Sequence, residues 1–319
     1  MPADHQGEST SDASAARGSL GEHALAPLGA AVLATGLWSI GNLIAVSAGL
    51  PGPQLAFWRT LFGAVIYGGI FMLRGGRYTK AAFRASALGG LAFGLSAVLF
   101  FSALKLTTVA SATVIAALQP VLLLPYSTRR MGERVRAGRL ALILVAVSGT
   151  VITVLGASDS SGDWSLKGDL LAFAGTVVGC AYFVGTKSAR ETLDTLQYQA
   201  SALPIATLVA LGGALVSGPG LDAPTVGALL AALAMTIVPG SGHLLMSWSQ
   251  RHLEVSATAT IALGVTVMSS LGAVVVYDQT LEPIQLVGMA IVLISLALFV
   301  RQTGRNAIDP AEVAVVPGE

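Results

Sequence analysis

Hydrophobic and polar positions fall into blocks along this chain: long apolar runs, each closed by a short cluster of charges, glycines or prolines. A helix needs roughly 20 apolar residues to cross about 30 Å of hydrocarbon. Runs of that size stand near 24–46, 53–73, 86–104, 108–128, 138–157, 168–186, 198–217, 225–249, 255–277 and 283–300. Backbone in lipid must satisfy its own hydrogen bonds, so all ten runs are predicted as transmembrane helices. The connections are short and punctuated, as in "SAGLPGP" at 47–53 and "SGPGLDAP" at 217–224, so successive helices run antiparallel. The polar ends, 1–23 and 301–319, read as disordered cytoplasmic tails, and the first lacks the basic and apolar regions of a signal peptide.

Composition agrees with the pattern. Hydrophobic residues make up 54% and charged residues 11%, which excludes an ordinary soluble domain. The net charge of +1 conceals an asymmetry. With the N-terminus in the cytoplasm, the inner segments hold Arg17, Arg74, Arg77, Lys80, Arg84, Arg129, Arg130, Arg134, Arg136, Arg139, Lys187, Arg190, Arg251, Arg301 and Arg305. That is 15 of the 18 basic residues. Only Lys105 and Lys167 fall outside, and Arg59 lies within a span. The positive-inside rule therefore predicts a multi-pass protein of the plasma membrane with both termini cytoplasmic. One cysteine, Cys180, excludes an intrachain disulfide, and no metal-ligand spacing occurs. No phosphate-binding glycine motif is present, so neither a cofactor nor a nucleic-acid partner is expected.

One stretch is written twice. "VASATVIAALQPVLLLPYSTRRMGER" at 109–134 is echoed 146 positions later by "VSATATIALGVTVMSSLGAVVVYDQT". Val109, Ile115, Ala116 and Val121 pair with Val255, Ile261, Ala262 and Val267, and Gly132-Glu133 pairs with Asp278-Gln279. Five spans lie in 24–157 and five in 168–300, separated by an extracytoplasmic loop at 158–167. An odd number makes the second half enter the membrane from the opposite face. The predicted fold is an all-α integral membrane protein of ten transmembrane helices, arranged as two inverted five-helix repeats.

The segments "LATGLWSIGN", "PGPQLAFWRT", "FFSALKLTTVASATVIAALQPV", "GER", "KGDLLAFAGTVVGCAY" and "LEPIQLVGMAIVLIS" follow one another across nearly the whole chain between the tails. In that order they resemble the EamA-type carriers of the drug/metabolite transporter superfamily. The resemblance implies a ten-helix fold of inverted repeats, a central substrate cavity, and export of amino acids or other small metabolites. The chain departs from the family's second-half pattern: Thr266 stands at the expected Pro, and Asp278-Gln279 at the expected Gly-Glu. Trp38 and Cys180 hold corresponding places in the halves and resemble the family's aromatic position.

Polar side chains within a span are costly and therefore candidates for function. Arg59, in "LAFWRTLF", offers a planar fork for a carboxylate, or snorkels to the headgroups. His243 follows Pro239, Gly240 and Gly242, which weaken a helix and free carbonyls toward a cavity. It is either a hydrogen-bonded core residue or a proton-coupling group. Gln119 and Pro120, with Pro125 and Tyr126 beyond, mark a second break that also reads as a packing kink. Trp38, Ser39, Asn42, Ser96, Cys180 and Tyr182 complete the candidate cavity lining or pack helices together. Glycines at small-xxx-small spacing, such as Gly90 and Gly94, predict close helix contact.

These features predict a secondary transporter, not an enzyme, with the lipid bilayer and a small-molecule substrate, an amino acid among the options, as its partners. A multidrug or cation efflux carrier is the alternative, weakened by the lack of a deep carboxylate. A membrane enzyme would need a catalytic cluster, and a receptor-like scaffold a soluble domain to signal through. Coupling runs through His243 or is absent, and both a monomer and a homodimer are compatible with the sequence.

Overall fold

The computed structural model describes residues 7–308 apart from 104–105, 108, 134, 157–164, 218–220, 222 and 279. The helices are α1 (Gly7–Ser47), α2 (Gly52–Leu73), α3 (Lys80–Ala103), α4 (Val109–Ala116), α5 (Gln119–Arg130) and α6 (Ala137–Leu155). They continue with α7 (Leu166–Arg190), α8 (Thr195–Val216), α9 (Val226–Gln250), α10 (Val255–Ala262), α11 (Gly264–Tyr277) and α12 (Pro283–Ile308). Among the described residues there is no strand. The 158–167 loop lies mostly outside the described residues.

Nine membrane-length apolar spans occur among the described residues, with α10 and α11 together forming one, Val255–Val276. The predicted span at 108–128 is instead divided into α4 and α5, of 8 and 12 residues, each too short to cross alone. Pro120 lacks an N–H to bond back to Ala116, and the backbone tightens at the junction, where Leu118 N donates to Ile115 O at 3.1 Å. The second half breaks at the corresponding place, Leu263, although no proline is there. Leu263 N donates to Thr260 O at 3.1 Å, and the adjoining Gly264 has low helix propensity.

Helix α1 begins at Gly7, within the expected irregular tail, and only Leu25–Ala45 is apolar enough to span. Alanine- and glutamate-containing sequence extends an existing helix without a new nucleation cost. Likewise α12 continues past the predicted end at 300 to Ile308.

The most extensive packing crosses between the halves: α3 on α7, α1 on α9, α2 on α8 and α6 on α12. Exchanging α1–α6 for α7–α12 in order turns α3–α7 into α9–α1 and returns the other two pairs to themselves. Glycines bring α3 against α8 as well. A Cβ on Gly90 or Gly94 would lie 2.6 Å from the carbonyl oxygen of Ala202 or Ala206 on α8.

At the end of the bundle where most basic residues gather, charged side chains tie the halves and, within the second half, tie α7 to the end of α9. The Glu133 carboxylate accepts from Val255 N (2.6 Å), Ser256 N (3.3 Å) and Ser256 Oγ (2.8 Å), capping α10 from the other half. Gln279, its sequence counterpart, lies outside the described residues. Arg139 on α6 pairs with Glu254 at 2.5 Å. Lys187 on α7 donates to Gln250 O (3.3 Å) and Leu253 O (2.5 Å), and Arg190 donates to Ser247 O (3.2 Å) and to Leu193 O. Burial pushes the Glu254 carboxyl up, with Arg139 opposing.

Candidate substrate cavity

Mid-bundle, residues from α2, α7 and α9 converge. Nη2 of Arg59 lies 3.2 Å from Nε2 of His243, whose Nδ1 lies 2.9 Å from the Tyr182 hydroxyl. An arginine nitrogen can only donate, so Nε2 accepts and carries no proton. The single ring proton is then on Nδ1 and is donated to the Tyr182 oxygen. This assignment makes the imidazole neutral and leaves the Tyr182 O–H to act as a donor.

Aromatic rings enclose the group. Trp38 and Phe93 lie 4.9 and 4.8 Å from the His243 ring, centroid to centroid, and Arg59 Cζ sits 5.3 Å from the Phe93 centroid. Two further bonds hold α2 to α9. Thr236 Oγ1 donates to Arg59 O at 2.8 Å, and the Tyr67 hydroxyl donates to Thr236 O at 3.3 Å.

Helix α9 runs unbroken through Pro239, contrary to the expected weak point. Its glycines serve close approach instead: a Cβ on Gly242 would meet Trp38 Cδ1 at 2.9 Å, and one on Gly240 would meet the Tyr67 hydroxyl at 2.8 Å. Bare backbone here lets the two rings reach the centre.

On one side of the cluster lies a cavity of about 250 Å³, lined by Trp38, Arg59, Ser96, Gln119, Tyr182 and His243, with phenylalanines 93, 100, 101 and 183 as its apolar wall. On the other, toward the basic end, the space contracts to about 20 Å³ beside Tyr67, Tyr198, Gln199 and Thr236. That is room for about one water. The layer of Arg59 and His243 separates the two.

The remaining sequence candidates stand apart from the cavity wall. Pro120 is buried in the first turn of α5. Cys180 Sγ contacts Gln119 O at 3.7 Å and packs behind the lining, so it does not share Trp38's position on the wall. Asn42 is exposed and donates to Ser269 Oγ at 3.1 Å, while Ser39 donates to Thr35 O at 2.8 Å within its own helix. The phenylalanines carry no sequence signal, being apolar residues in apolar spans. Tyr67 and Tyr198 were detectable by the rule that selected His243.

The sequence profile of the EamA-like transporter family matches residues 25–155 and 166–301. The chain belongs to the EamA-like transporter family. The two matched segments coincide with α1–α6 and α7–α12, so each half is one family repeat, and the chain is a multi-pass membrane transporter. One solved crystal structure aligns with a TM-score of 0.72 at 24% identity, covering 88% of this chain and 98% of the other. At that identity the likeness establishes the fold alone. No curated protein matches the sequence at a significant level. In this EamA-like transporter the cavity is bordered by helices of both repeats: α1, α2, α3 and the α4–α5 junction from the first, α7 and α9 from the second.

Proposed function

We propose that this EamA-like protein is a secondary transporter exporting amino acids or similar small metabolites across the plasma membrane by alternating access, both termini lying in the cytoplasm. The supporting observation is the polar layer of Arg59, His243 and Tyr182, with a solute-sized cavity on one face and a water-sized space on the other. A carrier between turnovers would have such a shape, reached from one side and closed on the other. In this reading the two repeats are inverted, α4–α5 serves as the tenth span, and the cavity faces the extracytoplasmic side. The charged ties among Glu133, Arg139, Lys187 and Glu254 then close the cytoplasmic side. Cation efflux finds less support, because no carboxylate whose side chain is described lines the cavity.

The test is counterflow in proteoliposomes: vesicles loaded with one amino acid or small organic acid should accumulate its labelled form. If folded protein moves no solute of any charge class, the transporter assignment of this cavity is wrong.

A further inference from the structure

The groups facing the cavity at its polar floor are donors. A guanidinium has five N–H groups, and His243 takes one of Arg59's. The Tyr182 oxygen is already accepting from His243 Nδ1, so its own proton can turn either to the neighbouring Thr186 hydroxyl or to a group in the cavity.

Among the described residues no carboxylate stands beside Arg59. Its guanidinium contacts a neutral imidazole and the face of Phe93. The described acidic residues with resolved side chains are Glu133, Asp169, Glu191, Asp194, Glu254, Asp278 and Glu282, all at or beyond the ends of helices. A cation held mid-membrane with no counter-charge is costly, and the cost falls when an anion enters the adjoining space.

We propose that this space is an oxyanion site: Arg59 and Tyr182 bind the carboxylate, or chemically similar group, of a solute whose net charge is negative. The inference rests on the transporter reading and narrows its substrates from amino acids at large to the acidic members of that range and similar small organic acids. A zwitterion's ammonium finds no carboxylate in the cavity, only the Gln119 amide, the Ser96 hydroxyl and ring faces. The phenylalanine wall suits a flat or apolar body. His243 acts as a positioning residue, since its bond to Nη2 sets the direction of the guanidinium.

Benzoate, benzamide and benzylamine share a ring and differ in charge. With the purified full chain, benzoate should raise the thermal midpoint and show counterflow beyond its passive entry into protein-free vesicles, and the other two should do neither. Arg59→Lys, which cannot form the planar fork, should weaken benzoate at least tenfold. Tyr182→Phe keeps the ring and removes only the donor, so it should weaken benzoate even where Arg59 variants fail to fold.

Benzamide or benzylamine binding as well as benzoate would overturn the oxyanion site, as would absence of benzoate binding or full benzoate affinity in both variants. Movement of only neutral or cationic solutes would defeat this proposal and leave the transporter intact. Benzoate binding with no flux of any solute would do the reverse.

Discussion

Arg59 and His243 each account for the other's presence inside a membrane bundle. The arginine supplies a donor to an imidazole nitrogen, and the imidazole gives the guanidinium one fixed bond in a low-dielectric setting. Replacing Arg59 by Lys exchanges a flat fork for a point charge. A hydrogen bond to a charged group contributes about 1.5–3 kcal/mol, so transport should fall roughly 10- to 100-fold with membrane expression unchanged. Near-normal flux in Arg59→Lys would return the residue to a snorkelling role.

His243 is also the mid-span group suited to carry a proton. Its Nε2 can accept one only after Arg59 releases it, so solute binding and proton uptake both depend on the same guanidinium. Flux in proteoliposomes should respond to an imposed pH gradient in the native protein and lose that response in His243→Gln. A response that persists in the variant would place the proton route elsewhere.

At the scale of elements, the interrupted helices follow sequence position more than residue type. Pro120 accounts for the first break, yet Leu263 breaks the second half at the paired position with Thr266 where the proline would be. Thr266 occupies the first turn of α11, its N–H bonded to Leu263 O at 3.2 Å. Thr266→Pro should therefore lose about 1 kcal/mol. Thr258→Pro, inside α10, should lose about 3 kcal/mol or more, with thermal unfolding separating the two.

The α1–α9 contact is similarly specific. Gly242→Ala would place a methyl 2.9 Å from Trp38 Cδ1 and 3.0 Å from Ala34 O, neither of which can yield easily. It should destabilise by about 1–3 kcal/mol and move Trp38, shifting its fluorescence. An unchanged emission spectrum and midpoint would show that the two helices separate freely.

For the whole molecule, closure at the basic end should depend on pH through Glu254. Arg139, Glu133 and Lys187 face its carboxyl, and burial, the largest influence, pushes it up. The closed form then binds a proton more readily than an opened form with Glu254 in water. Between the ordinary carboxylate value and the raised one, falling pH favours the closed form. A single cysteine at Ser247 should label from the cytoplasmic side at a rate that falls with pH more steeply than loss of thiolate alone requires, and Glu254→Gln should remove that excess. Topology is checked in a Cys180→Ser background: Arg77→Cys should label from inside and Thr280→Cys from outside. Labelling of both from one side would contradict the inverted repeat.

Much of this architecture was readable from residue order. Apolar runs, short punctuated loops, lopsided basic residues and the doubled stretch are local properties, and the cost of burying polar groups in lipid singled out Arg59 and His243 with no knowledge of neighbours, with Tyr182 one of several further candidates. Only the tertiary structure decided which candidates meet. Arg59 and His243 are 184 positions apart, and their contact depends on how closely α2 and α9 pack, set by side-chain-free surfaces whose partners spacing does not specify. The same packing left Asn42 at the surface, set Cys180 behind the wall and brought in Phe93, because a span's periodicity tells which face is apolar but not which helix covers it.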